Sequence, residues 1–212
     1  MPEPRPERAD AARNRRAILR ATEQLLAAHR PEQVSMEQVA AAAGVGKGTV
    51  FHRFGSRMGL MLALMQERAL DLGEAVRSGP PPLGPGAPAR ERMLAFLDAV
   101  VAVVARNKSL LAALGHAAST TPRPADAPPR GEHPVYEAWH AHLGALIAEQ
   151  RPAADAELLA HVLLGALHSD PVLHLLEAGQ AQRLADALRE LAEGLVSGGV
   201  QPGPGARTAA AG

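Results

Sequence analysis

From Ile18 onward, apolar residues fall every three or four positions, the spacing of one helix face. Ile18, Ala21, Leu25 and Leu26 predict a first helix over about Asp10–His29, ended by Arg30-Pro31. Ser35 suits an N-cap, because its hydroxyl can accept a first-turn N–H. Val39, Ala40 and Ala43 continue that short helix up to Gly44, a residue free to take the left-handed conformation that closes it. A second short helix runs over Lys47–Phe54, with Val50 and Phe54 four apart on its inner face and Val45 plugging the turn before it. Ser56 caps a fourth helix reaching about Arg77, with Leu60, Met61 and Leu64 on its apolar side.

The stretch S-G-P-P-P-L-G-P-G-A-P cannot be helical, since proline removes donors and clashes with the preceding turn. Residues 78–88 therefore read as a loop. Beyond it, Met93, Phe96, Leu97, Val100, Val101 and Val104 predict a strongly amphipathic helix from near Ala89, and Ser109–His116 a further one. Residues 119–134 are a second Pro-rich loop. A helix then spans about Val135–Gln150, carrying Trp139, Leu143, Leu146 and Ile147. Another spans Ala153–Leu167, bent or extended around Asp170-Pro171 toward Glu177, and the last spans about Gln182–Val196. Residues 1–9 and the Gly/Ala/Pro-rich 198–212 are expected to be disordered.

Composition sharpens the class. Hydrophobic residues make up 47% but aromatics only 2%, so the core must be built from Leu, Ala and Val, which favours helices. The fold class is all-α: an N-terminal three-helix head with a helix-turn-helix, plus a C-terminal helical domain. There is no cysteine, which excludes disulfides and thiolate metal sites. No run of about eighteen apolar residues is present, so no membrane span is expected. The segment P-E-P-R-P-E-R lacks an apolar signal core, and the expected location is cytoplasmic. Residues 1–60 hold nine arginines and one lysine against six carboxylates, a surplus of four positive charges that the remaining residues balance to zero. A basic head on an acidic body is what a phosphate-binding domain joined to another domain shows.

The head carries the most specific signal. The segment from Ser35 to Arg57, S-M-E-Q-V-A-A-A-A-G-V-G-K-G-T-V-F-H-R-F-G-S-R, has the layout of a helix-turn-helix, whose second helix lies in the DNA major groove. From about Arg13 to Leu64 the chain resembles the TetR family of bacterial transcription regulators. It departs mildly: His52 stands where that family usually has tyrosine or tryptophan, Arg57 where it has lysine, and Met58-Gly59 where acidic residues are common. The resemblance implies DNA-contact roles for Ser35, Lys47, Gly48, Thr49, Phe51, His52, Arg53 and Arg57. Lys47 would meet bases or phosphates, Thr49 and His52 would face the groove, and Gly48 would let the backbone come close. Ser35 and Arg57 are candidate phosphate contacts. Phe51 offers van der Waals contact to DNA or, equally, fills the head core. Arg53 meets phosphate or is simply solvated.

The resemblance also implies the rest of the design. Residues 10–57 would be the DNA-binding domain, 58–77 a connecting helix, and 89–197 a ligand-binding and dimerisation domain. A four-helix bundle formed by two chains would bury Leu159, Leu163, Leu167, Leu184, Leu188, Leu191 and Leu195 at a homodimer interface; alternatively those leucines close the domain's own core. Phe96, Val100, Leu111, Leu114, Trp139, Leu143 and Leu146 would enclose an apolar or amphipathic effector, although any core needs such residues. The expected partners are a double-stranded palindromic DNA operator, a small-molecule effector and a second copy of the chain, with no membrane and no cofactor. Two other readings stay open: a constitutive DNA-binding regulator without effector, and a helical ligand-binding or enzymatic body whose head no longer binds DNA.

Metal and enzyme chemistry have little support. His140 and His142 diverge by about 200° on a helix and cannot chelate one ion together, whereas His161 and His168 share a face. No cysteine and no i, i+4 histidine pair accompany them, so no metal site is assigned. No catalytic motif occurs, and G-V-G-K-G-T lacks the spacing of a phosphate loop. No enzymatic activity is expected.

Overall fold

The computed structural model describes residues 5–113, 134–167 and 169–197, and their side chains except at 5–9, 109 and 111–113. Among them the regular elements are helices: α1 (Arg5–Ala28), α2 (Met36–Ala42), α3 (Lys47–Phe54), α4 (Arg57–Ser78), α5 (Ala89–Ala113), α6 (Pro134–Gln150), α7 (Ala156–Ala166), α8 (Asp170–Glu177) and α9 (Ala181–Ser197), with one 3-10 turn at Pro31–Gln33. Helix α1 starts five residues before the expected Asp10. Part of the segment expected to be disordered is therefore helical, because Pro6 in a first turn gives up no hydrogen bond that the turn needs. The loop expected within 114–133 and the disorder expected over 198–212 lie outside the described residues.

Helices α1 to α4 form the head. Its core is Ile18 and Leu19 of α1, Val39 and Ala40 of α2, Val50 of α3, and Leu60, Met61 and Leu64 of α4. Thr22 is buried among them and donates to the Ile18 carbonyl at 2.8 Å, which satisfies its hydroxyl. Leu25 and Leu26 are only half-buried and pack at the edge. One member of this core comes from far along the chain: Leu110, near the end of α5, is buried in the head.

That contact corrects two expectations. No separate helix begins at Ser109, since α5 runs unbroken to Ala113. Nor does the head end at residue 57. Helix α4 buries Leu60, Met61 and Leu64 in the head and Leu72 in the body, while α5 buries Phe96 and Val100 in the body and Leu110 in the head. Two long helices thus belong to both cores.

The body core joins Met93, Phe96, Leu97, Val100 and Val101 of α5 to Leu143, Leu146 and Ile147 of α6, Ala160, Leu163 and Leu164 of α7, Leu176 of α8, and Leu184, Leu188 and Ala192 of α9. Helix α6 packs on both α5 and α7, with Gly144 lying close to Ala160. Helix α9 packs on α5, pinned by ion pairs from Arg189 to Asp98 and from Arg90 to Glu193. Asp155 caps α7 by accepting from the Leu158 N–H at 3.0 Å, and Pro171 lies in the first turn of the separate helix α8.

His142 packs edge-on against Phe96, with ring centroids 4.8 Å apart. Its Nε2 is buried and has no hydrogen-bond partner among the described residues. Burial, aided by the nearby Arg92, holds its pKa below the ordinary 6.5. The unfolded chain therefore takes up a proton near pH 6.5 while the folded chain does not, and stability should fall as pH drops below that value. Urea midpoints at pH 7.5 and 5.5 test this. The wild type is expected to lose more stability between the two than His142→Leu, and equal losses would remove His142 from the account.

Candidate nucleic-acid interface

The local chemistry of the head explains its shape. The Ser35 hydroxyl accepts from the Gln38 N–H at 3.2 Å, and the Gln38 side chain accepts from the Ser35 N–H at 2.8 Å, a reciprocal cap that fixes the start of α2. Gly44 has φ +66, and the Val45 and Gly44 N–H groups return to the carbonyls of Ala40 and Ala41 at 3.0 and 3.2 Å. This pattern closes α2 and requires a left-handed residue where glycine stands. Val45 is half-buried against the head core and holds the turn in place. Helix α3 then starts at Lys47 and stops at Gly55, φ +71, whose N–H bonds the Phe51 carbonyl at 2.8 Å. Ser56 caps α4 by accepting from the Gly59 N–H at 3.0 Å.

Helix α3 has two faces. Val50 is fully buried and Phe54 partly so, while Lys47, Gly48, Thr49 and His52 are exposed. A Cβ at Gly48 would meet nothing within 4 Å, so the backbone there is open to close approach. Phe51 is 39% exposed and stands on the outer side, which answers the choice left open for it: the ring is not a core residue. Lys47 Nζ lies 5.6 Å from the centre of that ring and pairs with Glu37 of α2. The hydrogen bond from Lys47 holds the Glu37 carboxyl below the usual carboxylate range. In the DNA-free protein the cation expected to meet DNA is thus parked on a neighbouring carboxylate.

The two arginines differ from the exposed set. Arg57 is half-buried and donates to the Pro31 carbonyl, so part of its guanidinium ties α4 to the 3-10 turn. Arg53 is likewise half-buried, and the Nε atoms of both are buried without a partner among the described residues. The Ser35 hydroxyl, besides accepting from Gln38, hydrogen-bonds the Glu37 carboxylate. Every residue expected to contact DNA is therefore in the head. The exposed group Lys47, Gly48, Thr49, Phe51 and His52 lies on one short helix, with Ser35, Arg53 and Arg57 around it.

Residues 18–64 match the family model described as bacterial regulatory proteins, tetR family. The head is that of a TetR-family regulator. No curated protein sequence matches the chain. Among solved structures, the chain is similar to a protein of Mesorhizobium loti described as a TetR-family transcriptional regulator, at 18% identity over 88% of this chain and 96% of that one, with a TM-score of 0.54. It is also similar to the transcriptional regulator FadR of Bacillus subtilis in complex with stearoyl-CoA, at 18% identity over 86% and 97% of the two chains and a TM-score of 0.52. A third likeness is to the fatty acid degradation regulator FadR of Bacillus halodurans, at 18% identity over 87% and 98%, with a TM-score of 0.50. At these identities the likeness is one of fold, and it extends the match from the head to the helical body.

The body residues expected to serve ligand and partner are arranged differently. Phe96, Val100, Leu143 and Leu146 are fully buried against one another and Trp139 lies half-buried on the same core, so they fill space instead of lining it. The Leu111 side chain and Leu114 lie outside the described residues. Of the expected interface leucines, Leu163, Leu167, Leu184 and Leu188 are buried in the chain's own core, and Leu159 and Leu195 pack at its margin. Only Leu191 is exposed, at 63%, and it is joined by Leu158 and Val162, exposed at 57% and 62%, which the leucine spacing did not single out. Regular spacing marks an apolar face but does not say which neighbour covers it.

The histidines also meet partners that spacing did not reveal. The rings of His140 on α6 and His161 on α7 lie 3.9 Å apart, and the Tyr136 hydroxyl is 2.7 Å from His161 Nδ1. His140 Nε2 lies 3.0 Å from the Glu157 carbonyl. His140 and His142 do diverge, the first toward α7 and the second toward Phe96. His168 lies outside the described residues. No single helix among the described residues is long and apolar enough to cross a membrane.

Proposed function

We propose that this TetR-family protein is a homodimeric, ligand-responsive transcription regulator that acts as a repressor, binding a palindromic operator and leaving it when a small apolar or amphipathic effector binds the body. The observation that carries the reading is the outward face of α3, where Lys47, Gly48, Thr49 and His52 stand exposed on a helix anchored by Val50. A short helix presenting a cation, two small residues and an imidazole suits contact with phosphates and base edges in a major groove. Anisotropy of labelled DNA from upstream of the protein's own gene, compared with scrambled DNA, tests it. Binding should prefer the upstream sequence, and its logarithm should fall linearly with log salt. Equal, salt-insensitive binding to both DNAs would defeat the reading.

Lys47→Ala is expected to weaken operator binding by about 1–3 kcal/mol if the lysine reads a base, or to lower the salt slope by about 1 if it meets a phosphate. An unchanged affinity and slope would show that α3 does not present its outer face to DNA.

Two recognition helices reach successive half-sites of a palindrome only if a dimer spaces them about one DNA turn apart. The exposed side chains on α7 and α9 support a partner there: Leu158 and Val162 lie one turn apart, and Leu191 is as exposed as either. Val162→Glu with Leu191→Glu places carboxylates on the exposed sides of α7 and α9 without entering the core. The double variant is expected to run as a monomer in size-exclusion chromatography with light scattering and to lose at least tenfold in operator affinity. A dimer that persists would place the interface elsewhere.

Effector and operator would compete through the body's conformation, so each should weaken the other by the same factor.

A further inference from the structure

A cleft of about 1060 Å³ opens between α1, α4 and α5, where head meets body. Its inner wall is apolar, with Leu19, Leu64, Leu72 and Val103 beneath and the more exposed Leu70 and Leu83 at its sides. Charged groups ring that surface, and their pairing decides what the cleft can accept.

Nearly every carboxylate there is already engaged. Glu67 accepts from Arg15 at 2.7 Å. Glu23 accepts from Arg68 Nε and Nη2 at 3.0 and 2.9 Å and lies 3.6 Å from Arg106. Glu74 accepts from Arg77 at 2.7 Å and from the Ser78 hydroxyl at 2.6 Å. The fourth, Asp71, makes no ion pair among the described residues; burial and the neighbouring Glu67 and Glu23 raise its pKa, while the nearby Arg16 opposes that rise. Two cations are left over. Arg16 and Arg20, one turn apart on α1, line the same cleft, are exposed, and form no ion pair among the described residues. Two guanidinium groups beside an apolar wall are complementary to a carboxylate carried on an apolar body, since guanidinium binds carboxylate through paired N–H groups. The volume is just above the roughly 300–1,000 Å³ typical of small-molecule sites.

We infer that this cleft is a binding site for an amphipathic monocarboxylate, its carboxylate held by Arg16 and Arg20 and its apolar part lying along Leu70 and Leu83. As an effector site this rests on the ligand-responsive reading above; as a binding site it does not. The location also gives the ligand a route to the head. Arg68, on the cleft wall, is only 9% exposed and links three helices by bonding Glu23 of α1 and Asn107 of α5 at 3.0 Å each. A carboxylate arriving at α1 changes the charge beside that link, and α1 is the helix that seats the head core.

Calorimetric titration of the full-length protein, free of DNA, with decanoate tests the site. Saturable binding with one site per chain is expected, at least tenfold weaker in Arg16→Glu/Arg20→Glu and unchanged in Arg183→Glu, an exposed arginine on α9. Ala102→Glu, which puts a carboxylate on the exposed α5 side of the cleft, provides a second variant with the arginines intact and is expected to lose tenfold as well. Decan-1-ol should bind the wild type at least tenfold more weakly than decanoate. No saturable binding, equal binding by the cleft variants, or equal binding of the alcohol would overturn the site. Adding decanoate to the protein–DNA complex separates the two readings. Binding at the cleft without DNA release would sink the effector role and leave the site standing. Release that survives Arg16→Glu/Arg20→Glu would sink the site and leave the effector role standing.

Discussion

Replacing Phe96 with alanine is expected to cost about 3–5 kcal/mol, the range for truncating a well-packed aromatic core residue. In a chain of this size that corresponds to a fall of roughly 6–20 °C in Tm. The ring is 1% exposed, sits at the centre of the body core, and meets the His142 imidazole edge-on. Its removal would leave a cavity walled by α5 and α6, the pair on which α7 and α9 are assembled. Thermal unfolding followed by circular dichroism measures the loss. A drop below about 1 kcal/mol would mean that the site collapses around the gap or that the ring is not packed as described, and would reopen Phe96 as a ligand contact.

Val50→Asp is expected to abolish operator binding. Val50 is fully buried and, with the partly buried Phe54 beside it, holds α3 to the rest of the head. An aspartate there would bring a carboxylate with no partner among Ile18, Val39 and Leu60, and an uncompensated buried charge costs about 3–5 kcal/mol. That exceeds what an eight-residue helix can recover by itself, since isolated helices so short are marginal in water. Helix α3 should therefore come away from the head, with its amides exchanging faster with solvent and anisotropy on operator DNA falling to the level of scrambled DNA. Wild-type affinity in this variant would mean that the inner and outer faces of α3 have been assigned the wrong way round.

The head was legible in sequence because its signals are local. Ser35 and Ser56 act as caps at the expected positions, Gly44 takes the left-handed turn, and α3 has its expected bounds at Lys47 and Phe54. Each of these depends on neighbours within about five residues. What the sequence did not reveal depends on contacts between distant segments. Leucines spaced three and four apart look alike whether the chain's own α5 covers them or a second chain does, and most proved to be covered from within. The meeting of His140 with His161, and the cleft formed by α1, α4 and α5, follow from helix packing that no single segment encodes. Lys47 was readable as an exposed cation; its pairing with Glu37 was not, because it depends on how α2 and α3 cross.

Leu110 bears on how this protein can be re-engineered. Because a residue of α5 completes the hydrophobic interior of the DNA-reading unit, a fragment cut after α4 leaves a vacancy where that leucine belongs. A chimera that grafts this head onto another regulator's body will keep its operator preference only if the donor helix carries a leucine-sized group at the matching depth. The seam for a domain exchange therefore lies beyond the last turn of α5, not in the Pro-rich loop that looks like a natural joint.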